Sequence, residues 1–127
     1  MRAETAQRFY DALDCYNRGD YLNAQEVLER VHAECDVADQ PLVKGLLMLA
    51  CGMHLHFNRG GGRGTLNLLR QSLIAFDDYR PSHLGVHVGE LYDALDAYVQ
   101  DLQDRSKAGA RFLDRWLAPR VRYQTAE

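Results

Sequence analysis

Tyr16-Asn17-Arg18-Gly19, followed by Ala24 and Leu28, returns as Phe57-Asn58-Arg59-Gly60, followed by Thr65 and Leu69. The two Asn stand 41 positions apart, a period in the range at which helix pairs repeat and stack. A Gly that ends one helix and turns the chain into the next suits such a pair, because Gly enters the left-handed region without a Cβ penalty. The repetition predicts two helical hairpins in tandem.

Ahead of the first motif, Ala6, Phe9, Leu13 and Tyr16 recur at spacings of three and four, one face of a first helix that Gly19 terminates. Behind it, Ala24, Val27, Leu28, Val31 and Cys35 form the stripe of a second. A third begins near Pro41, whose missing N–H needs no partner in a first turn. From Leu42 to Phe57 the apolar residues are not confined to one stripe, which marks a helix covered on most sides. Leu66, Leu69, Leu73 and Phe76 make a fourth helix, Arg80 to Gly85 a loop, and Leu91, Leu95, Tyr98 and Leu102 a fifth helix. Phe112, Leu113, Trp116 and Leu117 suit a short sixth that ends before Pro119. The expected fold is all-α, a compact bundle of five to six helices built from two tetratricopeptide-like hairpins plus C-terminal helices. Residues 1–118 form its single domain and 119–127 a basic, mobile tail.

With 127 residues, 46% hydrophobic and 26% charged, the chain can bury roughly two-thirds of the surface its unfolded form exposes, and its composition excludes disorder. The apolar run from Leu42 to Phe57 is broken by Lys44, His54 and His56 and falls short of the roughly 20 residues that cross a bilayer. Met1 to Thr5 leads straight into an amphipathic pattern with no apolar secretory stretch. Cys15, Cys35 and Cys51 form no CxxC pair; an odd number of thiols in a short chain points to reduced core residues in a cytoplasm. From Arg105 onward six Lys and Arg oppose Asp114 and Glu127, so a balance of +4 there leaves −7 on residues 1–104 for the stated net −3. The plainer reading is a solvated acidic body with a basic C-terminal tail; the sharper one has Arg111, Arg115, Arg120 and Arg122 docking an acidic surface, such as a neighbouring subunit, whereas nucleic acid is disfavoured because the body repels phosphates.

The stretch Ala24-Gln25-Glu26-Val27-Leu28-Glu29-Arg30-Val31-His32, preceded by Arg18-Gly19-Asp20-Tyr21 and followed by His54 ahead of Arg59-Gly60, resembles the uncharacterised bacterial and archaeal family known as domain of unknown function 309. That family's second helix typically reads His-Glu-x-x-Glu-x-x-Trp, and its third closes a Gln-rich apolar stretch on a His. The similarity runs over roughly residues 9 to 102. Glu26, Glu29, His54, Gly60 and Gly64 agree with the pattern; Gln25 stands in place of His, His32 in place of Trp, and Lys44 and Met48 in positions often held by Gln. The resemblance implies a compact helical bundle of tetratricopeptide-like hairpins and brings no reaction, substrate or cofactor.

Gln25, Glu29 and His32 share one side of the second helix, with Glu26 close by. Two carboxylates and a His at that spacing can bind a metal or seat a proton acceptor beside an acid; a solvated face with Glu26 pairing Arg30 is the plainer reading. His54, among Leu47, Met48, Cys51, Leu55 and Phe57, is expected to be buried and so to need a hydrogen-bond partner, with a second-helix carboxylate as candidate. Glu26, Glu29 and His54 are the candidate catalytic residues and weak metal ligands; no cofactor is expected. Gly60 to Gly64 with Arg63 offers free N–H groups that can hold an anion, but lacks the GxxxxGK[ST] and GxGxxG spacings and reads as a hairpin turn.

Two functions fit. One is a non-catalytic interaction or scaffold module that takes a protein partner or a second copy, anchored by Tyr92, Tyr98 and Trp116. The other is a small enzyme or ligand-binding protein with Glu26, Glu29 and His54 around a polar cavity between the second and third helices.

Overall fold

The computed structural model describes residues 1–104 and 117–125. Five helices follow one another, α1 (Ala3–Asn17), α2 (Tyr21–Glu34), α3 (Gln40–Asn58), α4 (Arg63–Asp77) and α5 (Val88–Asp104), with a 3-10 turn over Val37–Asp39 leading into α3. The fold is all-α, and the described residues contain isolated bridges but no strand. Each helix packs on the one before and the one after it. The sixth helix expected over 112–117 falls, but for Leu117, outside the described residues. Among the described residues no helix is long and apolar enough to cross a membrane.

Both copies of the motif end a helix at a left-handed Gly. Gly19 has φ +85°; its N–H donates to the Tyr16 carbonyl at 2.9 Å and the Asp20 N–H to the Cys15 carbonyl at 2.9 Å, which satisfies carbonyls the last turn of α1 leaves free. Gly60 has φ +82°, and the Gly61 N–H reaches back to the Leu55 carbonyl at 3.0 Å. The Tyr21 ring joins the two ends, edge-on to Tyr16 at 5.2 Å and stacked on Phe57 at 5.7 Å.

α3 is the central element. Leu42, Val43, Leu46, Leu49, Ala50 and Met53 are buried on it, against Leu28 and Val31 of α2 and Leu69 and Phe76 of α4. Each large apolar side chain so placed stabilises the fold by roughly 1.5–3 kcal/mol. Two glycines let α4 approach: a Cβ on Gly45 would lie 2.8 Å from the Phe76 ring and 2.9 Å from Ala75 Cβ, and one on Gly52 would lie 2.8 Å from Leu69 Cδ2. Across the same seam the buried Ser72 hydroxyl donates to the Gly45 carbonyl at 2.9 Å.

The segment after Leu117 differs from the mobile tail expected of 119–127. Residues 119–124 form a docked strap: the Tyr16 hydroxyl donates to the Pro119 carbonyl at 2.7 Å, the Asn17 side chain both donates to the Val121 carbonyl and accepts the Val121 N–H at 2.8 Å, and the Tyr123 hydroxyl donates to Asp14 at 2.7 Å. The Gln124 N–H donates to the Gly85 carbonyl at 2.8 Å and the His87 N–H to the Arg122 carbonyl at 2.9 Å. Val121 is buried and Arg122 pairs with Glu90 at 2.9 Å. Backbone groups do most of this docking, so the charges of Arg120 and Arg122 were a poor guide to it. Arg111 and Arg115 lie outside the described residues.

Candidate functional site

Glu26 and Glu29 on α2 are both exposed. Glu29 lies near enough to α3 that, after burial, its carboxylate is the second cause pushing the Cys51 thiol up. His54 is only half-buried, and its Nδ1 lies 3.1 Å from the Asn58 side-chain amide, one turn on in the same helix. The expected meeting of His54 with a carboxylate of α2 gives way to this local contact. The α2 carboxylate that is used between helices is Glu34, which accepts from Arg8 at 2.6 Å and from the Thr5 hydroxyl at 3.1 Å. Among the described residues no group of three or more His, Cys, Asp or Glu is placed to hold a metal ion.

The imidazole that α3 does bury is His56, only 3% exposed. Leu42, Leu46, Leu49, Met53 and His56 succeed one another at steps of four, three, four and three, so His56 continues the apolar stripe. Its ring meets Phe57 edge-on at 4.9 Å and Tyr98 of α5 at 6.3 Å. On the other side lies Gly61, where a Cβ would sit 2.9 Å from His56 Nδ1. Gly60, Gly61 and Gly62 all have positive φ, and this run carries the chain from the end of α3 to the start of α4.

A cleft of about 280 Å³ opens at that turn, lined by His56, Arg63, Thr65, Leu66, Arg70 and Leu102, with Gly62 at the N-cap of α4. The N-cap makes no side-chain hydrogen bond, and the first bond within the helix is from the Leu66 N–H to the Gly62 carbonyl at 3.2 Å, so the N–H groups of the first turn have no intrahelical partner. Thr65 is 1% exposed, and its Oγ1 has no hydrogen-bond partner among the described residues. Such a hydroxyl costs about 1–3 kcal/mol until something bonds it. Arg63 and Arg70 add two cations, and no carboxylate lines the cleft among the described residues.

A second polar contact joins distant segments. Asp39, 7% exposed, has its Oδ1 2.7 Å from His83 Nε2, while the Tyr79 ring lies 4.9 Å from that imidazole and its hydroxyl donates to the Ala38 carbonyl at 2.7 Å. No spacing in the sequence links positions 39 and 83. The expected anchors are partly occupied: Tyr98 is buried, and Tyr92 lies beneath the Arg80 guanidinium, 4.3 Å from its ring centre. Trp116 is outside the described residues.

The helices and cleft define a small all-helical domain with a cationic recess at one inter-helix turn. Residues 9–68 match the family model described as "Domain of unknown function (DUF309)", the family that the α2 and α3 motif residues resemble, over a shorter span than the one expected. No curated protein and no solved structure matches the chain.

Proposed function

We propose that this chain is a cytoplasmic, non-catalytic interaction module of tetratricopeptide-like hairpins, which recognises a protein partner, another chain or a second copy of itself, at the α3–α4 cleft. The observation that carries the reading is the cleft: a recess of about 280 Å³ whose polar groups, among the described residues, are two arginines, the His56 imidazole, a helix N-terminus and a buried hydroxyl lacking a partner. Those groups are donors and fixed charges, which orient a guest by binding it. The exposed Glu26 and Glu29 and the Asn58-bound His54 supply no such convergence, so the alternative of an enzyme built on them has less support.

The test is a titration of small neutral and charged fragments followed by amide NMR. Perturbations gathered at residues 56, 61–66, 70 and 102, and lost in Leu66→Trp, which fills the recess, are the expected result. Fragments that bind elsewhere, or bind Leu66→Trp unchanged, refute the reading.

A further inference from the structure

The internal repeat supplies its own control for what the cleft is for. Shifted by 41 positions, Cys15, Asp20, Leu22, Ala24 and Glu29 of the first hairpin correspond to His56, Gly61, Arg63, Thr65 and Arg70 of the second. Ala24 and Thr65 are equally buried, at 0% and 1%, so the fold needs only a small side chain there and the Thr65 hydroxyl is an addition that packing does not use. Glu29 and Arg70, both exposed, have opposite charge. The first hairpin also carries a carboxylate at the N-cap of its second helix, Asp20, where α4 has Gly62 and no side chain. At every one of these positions the second hairpin exchanges an apolar or acidic group for a hydrogen-bond donor or a cation, or removes an acid.

Resting on the cleft being the recognition site, we propose that its ligand is a phosphoryl group, a phosphate monoester dianion seated on the N-terminus of α4 between Arg63 and Arg70 and hydrogen-bonded by Thr65 Oγ1. Helix N-termini attract anions through their unpaired N–H groups and the helix dipole. Two guanidiniums present planar forks that match phosphate oxygens. A monoester carries about −1.5 to −2 charges at neutral pH and three acceptor oxygens, which suits two cations, the free N–H groups and one hydroxyl better than a carboxylate does. The three glycines with positive φ keep side chains off the approach to those N–H groups. The same chemistry is presented by a free phosphorylated small molecule and by a phosphorylated side chain of a protein partner.

The full chain is titrated at constant ionic strength with inorganic phosphate, with a phosphoserine peptide and its unphosphorylated form, and with a short single-stranded oligonucleotide, again followed by amide NMR. Phosphate is expected to perturb residues 62–66, 56 and 70, and Thr65→Val and Arg70→Gln each to weaken it about tenfold, the lower end for a hydrogen bond to a charged group. Both sites are suited to these changes: Val keeps the volume of the buried Thr, and Arg70 is exposed. A phosphopeptide that binds more than tenfold tighter than phosphate supports the proposal with a protein as the source; equal affinities support it with a small molecule. Phosphate that perturbs other residues, or binds both variants as well as the parent, overturns the proposal, as does an oligonucleotide that outcompetes the monoester. Neutral fragments entering the cleft while phosphate does not would sink the phosphoryl assignment and leave the recognition site standing; if neither enters, both fall.

Discussion

Replacing Asn17 by Ala removes the amide that holds the strap at Val121 from both sides. Two hydrogen bonds of 2.8 Å disappear, one to the Val121 carbonyl and one from its N–H. At about 1 kcal/mol net each, the loss is about 2 kcal/mol, which at room temperature multiplies the undocked population roughly thirtyfold. The informative probes are amides that touch the strap without touching Asn17: His87, bonded to the Arg122 carbonyl, and Gln124, bonded to the Gly85 carbonyl. If residues 119–124 dock as one unit, hydrogen exchange at both amides should quicken by about thirtyfold in Asn17→Ala. In Asn17→Asp, which keeps the acceptor but loses the donor, it should quicken by at least about fivefold, the equivalent of about 1 kcal/mol. Faster exchange confined to Val121 would show that each contact stands alone and would refute the account of a cooperative strap.

Two glycines on α3 should respond differently to the same change. Gly45→Ala gains about 0.5–1 kcal/mol of helix propensity but drives a Cβ into the Phe76 ring and Ala75, an overpacking that costs about 1–3 kcal/mol; chemical denaturation should find it destabilised by about 1–2 kcal/mol. In Gly52→Ala the nearest atom is the flexible end of Leu69, so stability should stay within about 1 kcal/mol of the parent, and an equal loss in both variants would contradict the packing described. The Tyr123 phenol is pushed up to about 12, first by its hydrogen bond to Asp14 and then by burial. Its folded value lies above its unfolded one, so the stability it contributes is whole below about pH 10 and is lost as the pH rises toward about 12; Tyr123→Phe should flatten the fall in stability over that window, and an unchanged slope would argue against the Asp14 contact.

The architecture was legible because the motif states it twice: Gly19 and Gly60 both take left-handed φ at helix ends, and Tyr21 packs between Tyr16 and Phe57. The site was less so. In a helix as uniformly apolar as α3, hydrophobicity alone carries little information on which side faces the core, and His54 and His56 differ by two residues, about 200° of rotation. His56 stands in a four-three-four-three run, Leu42, Leu46, Leu49, Met53, His56, but His54 stands in another, Val43, Leu47, Ala50, His54, Phe57, so the spacing shows both and chooses neither. Thr65 was equally visible, in register with Leu69, Ser72 and Phe76, but a Thr in a buried stripe looks like an ordinary core residue until its hydroxyl is found to lack a partner. The Asp39–His83 contact and the strap were beyond reach, since both join segments through loop geometry and backbone groups that carry no period.

The clamp between the end of α1 and residues 119–124 joins partners more than a hundred positions apart. On a ribosome the consecutive helix pairs can assemble as they emerge, since most of the packing of each helix is on its neighbour in the chain. Tyr16, Asn17 and Asp14, by contrast, wait until Pro119, Val121 and Tyr123 have been made before their acceptors and donors arrive. The clamp is therefore a long-range closure that seals the first helix, and a nascent chain stalled before position 119 keeps that end of the molecule unlatched.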